Sequence, residues 1–70
     1  MVEVFKTNVE QPELAEQIAI LLRDRFAFSR INFDLGDCDK ILRVEGQEIC
    51  AATIIGILGE QGLECEVLSW

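Results

Sequence analysis

The chain has 70 residues, half of them hydrophobic, which is the composition of one small globular domain rather than of a disordered segment. Thirteen acidic residues against six basic ones give a net charge of −7, which argues against binding to nucleic acid or to an anionic membrane surface. A domain this short buries only about 60% of the surface that its unfolded chain exposes, so a partner subunit is one way to stabilise it.

The first predicted strand covers residues 2–6, where Val2 and Val4 alternate with Glu3 and Phe5. We place the two valines on the side of the sheet that faces the core, and Glu3 and Phe5 on the side that faces solvent. On this interpretation Phe5 is an exposed aromatic residue, which is either tolerated in solvent or makes contact with a partner.

The first predicted helix begins near Pro12, a residue that is favoured at the first helical position, and ends within residues 27–29. Its apolar residues recur at helical spacing and predict the face that packs on the sheet. They are Leu14, Ala15, Ile18, Ala19, Leu21 or Leu22, and Phe26.

Two strands follow the first helix and form a predicted hairpin. Ile31, Phe33 and Leu35 alternate with polar residues, and residues 41–44 supply the second arm. The acidic segment between the arms has three aspartates but lacks the spacing of a calcium loop, so we interpret it as a plain turn.

The second predicted helix covers residues 48–59, and Ile54, Ile57 and Leu58 form its inner face. It is unusually apolar for a short surface helix. Ile49 and Ile55 have few polar neighbours, and together with Phe5 they are the residues that we assign to a possible interaction surface. Residues 63–67 alternate again and predict the last strand.

The order strand-helix-strand-strand-helix-strand predicts an α+β fold of the ferredoxin-like kind. One antiparallel four-stranded sheet carries both helices on one face, and residues 1–70 form a single domain. The other face of the sheet is expected to be mostly polar. We assign to it Glu3, Phe5, Arg30, Asn32, Asp34, Arg43, Glu64 and Glu66.

The three cysteines, Cys38, Cys50 and Cys65, lie too far apart in sequence for a zinc-binding pair and do not form a disulfide framework. We expect Cys38 to be exposed at the tip of the hairpin, and Cys50 and Cys65 to be small core residues. The chain also starts without a leader-like segment and has no run of about 20 apolar residues, so we expect a cytoplasmic protein.

The segment between the first strand and the first helix carries a resemblance to the heavy-metal-associated domain family of copper chaperones and metal-pumping ATPases. Members of that family carry Gly-Met-x-Cys-x-x-Cys there, with an aliphatic residue four positions later. Aligning that residue with Ile18 places Gln11 and Leu14 at the two cysteine positions and Asn8-Val9 at the Gly-Met pair.

The resemblance spans about residues 2–68 and includes Gly62-Leu63, where the family has glycine and an aromatic residue before the last strand. It implies a ferredoxin-like fold and a Val9 side chain that packs under the loop. It does not carry over the metal site, because Gln11 is a neutral amide and Leu14 has no donor atom, whereas the family binds soft metals through two thiolates.

The residues therefore predict a non-enzymatic, cofactor-free protein-interaction or regulatory module that binds a protein partner or a second copy. With no histidine and only two serines, no catalytic arrangement can be assembled. The glycine-bearing loops that acylphosphatases and amino-acid-binding ACT domains carry after strand one are absent too. One alternative is soft-metal binding (Cu or Zn) through a non-family site such as Cys38. Another is small-ligand binding at the first loop or in a dimer groove.

Overall fold

The computed structural model describes residues 1–36 and 38–68 and confirms the predicted fold. The chain forms a ferredoxin-like α+β sandwich in which an antiparallel four-stranded sheet packs against two helices. Its elements are β1 (Val2–Thr7), α1 (Pro12–Arg25), β2 (Arg30–Asp34), β3 (Ile41–Glu45), α2 (Ala51–Glu60) and β4 (Cys65–Val67).

The strands lie in the order β2-β3-β1-β4, so the two edges of the sheet are β2 and β4. The register places Phe5 opposite Leu42 of β3 and opposite Val67 of β4, while Ile31 of β2 lies opposite Val44. Because residues that lie opposite each other in a sheet point to the same face, this register defines one face toward the helices and one outer face.

Phe5 lies in the core, and the expectation that it is exposed is wrong. Its side chain is fully buried beside Ile18, Leu22 and Leu42. Both faces of β1 carry an apolar residue, so alternation alone does not tell which one points inward. The larger aromatic side chain takes the inner face, and a change of one residue in phase moves every side chain of a strand to the other face.

The outer face of β1 therefore carries Val2, Val4 and Lys6, whereas Glu3 faces the helices together with Phe5. Val2 is 47% exposed, and Val4 is half-buried. This side of the sheet is thus more apolar than expected, although β2, β3 and β4 place the assigned Arg30, Arg43 and Glu66 there.

Helix α1 begins at Pro12 as predicted and ends at Arg25, slightly earlier than predicted. Its last turn carries two arginines, whose positive charges interact favourably with the negative end of the helix dipole. Of the two leucines that could complete its inner face, Leu22 is buried and Leu21 is exposed.

Helix α2 begins at Ala51 rather than at residue 48, and it buries Ile54 and Leu58. Gly62 follows it with a φ of 76°, a left-handed conformation that glycine adopts without strain and that commonly ends a helix. Within residues 1–36 and 38–68, neither helix is long and apolar enough to cross a membrane.

Candidate functional site

The loop between β1 and α1, where the family resemblance places a metal site, is held by a hydrogen-bonded threonine. The Thr7 hydroxyl donates to the Lys40 carbonyl oxygen at 2.6 Å and accepts the Val9 backbone N–H at 3.3 Å. The side-chain oxygen of Asn8 accepts the Glu64 backbone N–H at 2.9 Å, which ties the loop to the segment before β4. Val9 is fully buried, which confirms that it packs under the loop.

Neither of the two positions that the resemblance aligns with cysteines carries a thiolate. Gln11 is exposed and precedes α1 without a side-chain hydrogen bond to the helix, and Leu14 packs against the edge of the core. Among the residues that the structure describes, no group of three His, Cys, Asp or Glu side chains is arranged to hold a metal ion.

The cysteines lie in three different environments. Cys38 is exposed in the turn between β2 and β3, as predicted, and Cys65 is half-buried against the core. Cys50, which we expected in the core, is exposed instead. The reason is the later start of α2, which leaves Cys50 as the residue that precedes the helix rather than a residue of its inner face. Cys38, the candidate of the soft-metal alternative, is therefore exposed together with a second thiol, Cys50.

The thiols of Cys50, which precedes α2, and of Cys65, which begins β4, differ in acidity. A hydrogen bond from the Thr53 side chain, together with backbone N–H groups of the first helical turn, holds the pKa of Cys50 below its usual value. Burial raises the pKa of Cys65 to about 11, because a thiolate is poorly solvated there.

At pH 8 we expect iodoacetamide to modify Cys50 at least about tenfold faster than Cys65, because the thiolate is the reactive form. Thr53→Val should slow the modification of Cys50 and leave that of Cys65 unchanged. Peptide mass spectrometry of a time course measures both rates. Faster modification of Cys65 would contradict the burial and hydrogen bonding described above.

A groove lies at the opposite end of the sheet from the β1–α1 loop. It has a volume of about 690 Å³ and lies between the segment that follows α1 and the segment that follows β3. Met1 closes this end of the sheet, since its backbone exchanges two hydrogen bonds with Gly46. The groove is lined by Arg25, Phe26, Ala27, Phe28, Ser29, Gly46, Gln47, Glu48 and Ile49.

Phe28 is the most unusual residue at this groove. Its side chain is fully exposed, and its backbone has a φ of 67°, a left-handed conformation that is a genuine outlier for a bulky residue. The turn that contains it is closed by the Ser29 backbone N–H, which donates to the Phe26 carbonyl oxygen at 3.2 Å, and the Ser29 hydroxyl donates to the same oxygen. The turn thus holds an aromatic side chain in solvent at the rim of the groove.

The floor of the groove is partly apolar. Phe26 and Ile49 pack against the core from either side of it. The guanidinium carbon of Arg25 lies 5.9 Å from the centre of the Phe26 ring, within the range of a cation–π contact. An apolar side chain that enters the groove would therefore meet aromatic and aliphatic surface that the core already holds in place.

The structure separates the residues that we assigned to an interaction surface. Phe5 is excluded because it is buried, Ile49 lines the groove, and Ile55 is 37% exposed on α2 beside a different depression of about 480 Å³. Sequence reasoning missed Phe28. The available signal was an aromatic residue two positions beyond the end of the apolar stripe of α1.

Comparison with known proteins adds no functional information to this geometry. No protein-family model matches the chain, and neither the curated proteins nor the solved structures contain a match to it.

Proposed function

We propose that this chain is a non-catalytic protein-interaction module that binds a segment of a partner protein at the Phe28 groove. Its scaffold resembles the heavy-metal-associated domains, and the positions of their metal ligands are occupied by Gln11 and Leu14. The observation that carries the proposal is the Phe28 side chain, which is fully exposed at the rim of a groove and held there by a left-handed turn.

The backbone of Phe28 costs free energy in the isolated chain, and its ring does not offset that cost. A left-handed backbone costs a non-glycine residue roughly 1–2 kcal/mol, and the ring gains nothing from burial. Backbone outliers of this kind persist at functional sites, where the strain serves binding or catalysis. A partner that covers the ring would recover the burial that the isolated domain does not provide.

The chemistry of the partner follows from the groove and from the charge of the chain. Phe26 and Ile49 favour an apolar side chain in the groove, and exposed aromatic residues act as anchors at protein interfaces. The net charge of −7 attracts and orients a positively charged partner. The proposed partner is therefore a basic protein segment that carries at least one large apolar residue.

A selection from a random peptide library displayed on phage tests this proposal. The folded wild-type protein is the target, and Phe28→Gly serves for counter-selection. We expect enriched peptides with an aromatic or large aliphatic residue flanked by Lys or Arg, which bind the wild type and the control Ile20→Ala equally well. Enrichment of acidic peptides, or of peptides that bind Phe28→Gly as tightly as the wild type, would overturn the proposal, as would the absence of any enrichment.

Phe28→Gly should leave the fold intact and raise the free energy of unfolding by about 0.5–1 kcal/mol, because glycine adopts the left-handed conformation without a steric penalty. Phe28→Ala keeps the Cβ atom and is expected to leave the free energy of unfolding unchanged. Urea unfolding of both variants measures the effect. A loss of stability in Phe28→Gly would mean that the ring packs against the domain rather than being held for a partner.

A further inference from the structure

The outer face of the sheet combines an apolar patch with charged side chains in a regular pattern. Val2 and Val4 lie on this face, and Ile41 of β3 lies diagonal to Val4. Leu68 extends β4 by one residue, since its backbone N–H donates to the Val4 carbonyl oxygen at 2.8 Å, and alternation places its side chain on the same face. Four aliphatic residues therefore cluster on the side of the sheet that no helix covers.

The charges on this face nearly balance. The strands place three basic residues and three acidic ones on it: Lys6, Arg30, Arg43, Asp34, Glu45 and Glu66. The Asp39 carboxylate, 3.7 Å from the Lys6 amine, adds a fourth acidic group at its edge. The rest of the chain holds nine acidic and three basic residues, and thus −6 of the net charge of −7. Two copies of the protein repel each other through most of their surface, but they can approach through the outer sheet face at little electrostatic cost.

We propose that the outer sheet face is the contact surface between two copies of this chain. The occupant is a second copy because the charges of the face complement the face itself. Arg30 lies on the edge strand β2 at one end of the sheet, and Glu66 lies on the edge strand β4 at the other end. A two-fold axis in the plane of the interface, along the other diagonal of the sheet, which passes through the Asp34 corner, sets Arg30 of each copy against Glu66 of the other.

The same axis brings Val2 close to Leu68 of the second copy and crosses the two sheets at nearly a right angle, one of the two usual ways in which sheets pack. It also brings the two Asp34 side chains together, because Asp34 occupies the corner through which the axis passes. The contact thus contains two Arg30–Glu66 pairs and one Asp34–Asp34 pair, and each kind of pair can be altered separately.

The size of the face sets the expected affinity. A stable interface buries about 800 Å² on each partner, which is roughly one sixth of the 4714 Å² that one copy exposes. Four short strands offer at most that much, so we expect a weak dimer with a Kd on the order of micromolar. Such a dimer carries two Phe28 grooves, and it would bind a partner with two matching segments more tightly than a single copy does.

Sedimentation equilibrium of charge-reversal variants tests the proposal. Arg30→Glu and Glu66→Arg should each raise the dimer Kd at least about tenfold, because each places two like-charged pairs in the contact. The double variant Arg30→Glu/Glu66→Arg should return the Kd to within about threefold of the wild type, because it restores both opposite-charge pairs. Asp34→Asn should lower the Kd, because it removes the repulsion at the axis.

Arg23→Glu on α1 is the matched control, since it changes the net charge by the same amount away from the face and should leave the Kd within about threefold of the wild type. Circular dichroism verifies that each variant is folded. A wild-type protein that stays monomeric at millimolar concentration, or a double variant no better than the single ones, would overturn the proposal. Binding of peptides at the Phe28 groove does not depend on dimer formation, so the two proposals can fail separately.

Discussion

Replacing Phe5 with alanine should lower the free energy of unfolding by about 3–5 kcal/mol, because it removes a fully buried aromatic ring and leaves a cavity among Ile18, Leu22 and Leu42. A domain of 70 residues has a total stability of roughly 4–10 kcal/mol. The variant should therefore be partly or wholly unfolded at room temperature. Urea or thermal unfolding followed by circular dichroism measures the effect.

Val2→Ala on the opposite face of the same strand is the matched control for Phe5→Ala. Val2 is 47% exposed, so its truncation should change the free energy of unfolding by no more than about 0.5 kcal/mol. If Phe5→Ala lowered the free energy of unfolding as little as Val2→Ala, the inner and outer faces of β1 would be the reverse of those described. That result would also contradict the proposed dimer surface.

Thr7→Val should cost about 2–3 kcal/mol of stability, although valine has the same shape as threonine and is more hydrophobic. The Thr7 side chain is buried, and its hydroxyl satisfies the Lys40 carbonyl oxygen and the Val9 backbone N–H. Without the hydroxyl, both backbone groups lose a hydrogen-bond partner in or near the protein interior. Chemical unfolding with urea at equilibrium gives the difference.

Thr7→Ser keeps the hydroxyl and loses only a methyl group, so its cost should be about 1 kcal/mol. The expected order of stability is therefore wild type, then serine, then valine, which is the opposite of the order that burial of apolar surface alone would give. A valine variant at least as stable as the serine variant would mean that the two hydrogen bonds of Thr7 do not hold the β1–α1 loop.

Much of the fold could be predicted from the sequence because most of its segments carry one dominant periodicity. The stripe of α1 includes Leu22 and the alternation of β2 begins with Ile31, and both residues lie in the core. In β1, Val2, Val4 and Phe5 make both faces apolar, so the choice depended on tertiary packing against the helices. The same ambiguity concealed the apolar patch of the outer face.

The candidate groove could not be predicted because it arises where two loops meet in space. The segments that contain Phe28 and Ile49 are about 20 residues apart in sequence and become neighbours only after β2 and β3 pair. The left-handed backbone at Phe28 could not be predicted from the sequence either. Such positions usually carry glycine or asparagine, and a phenylalanine does not indicate one. That Gln11 and Leu14 lack thiolates could be inferred from the sequence, since that inference needs only the identity of two side chains.

We propose that Phe28 serves binding and contributes nothing to the stability of the isolated domain. The most direct test is a calorimetric titration of one peptide selected on the wild-type protein into the wild type and into Phe28→Gly. We expect Phe28→Gly to lose at least about tenfold in affinity while its unfolding midpoint stays the same or rises. Equal affinity for the two proteins would contradict the claim.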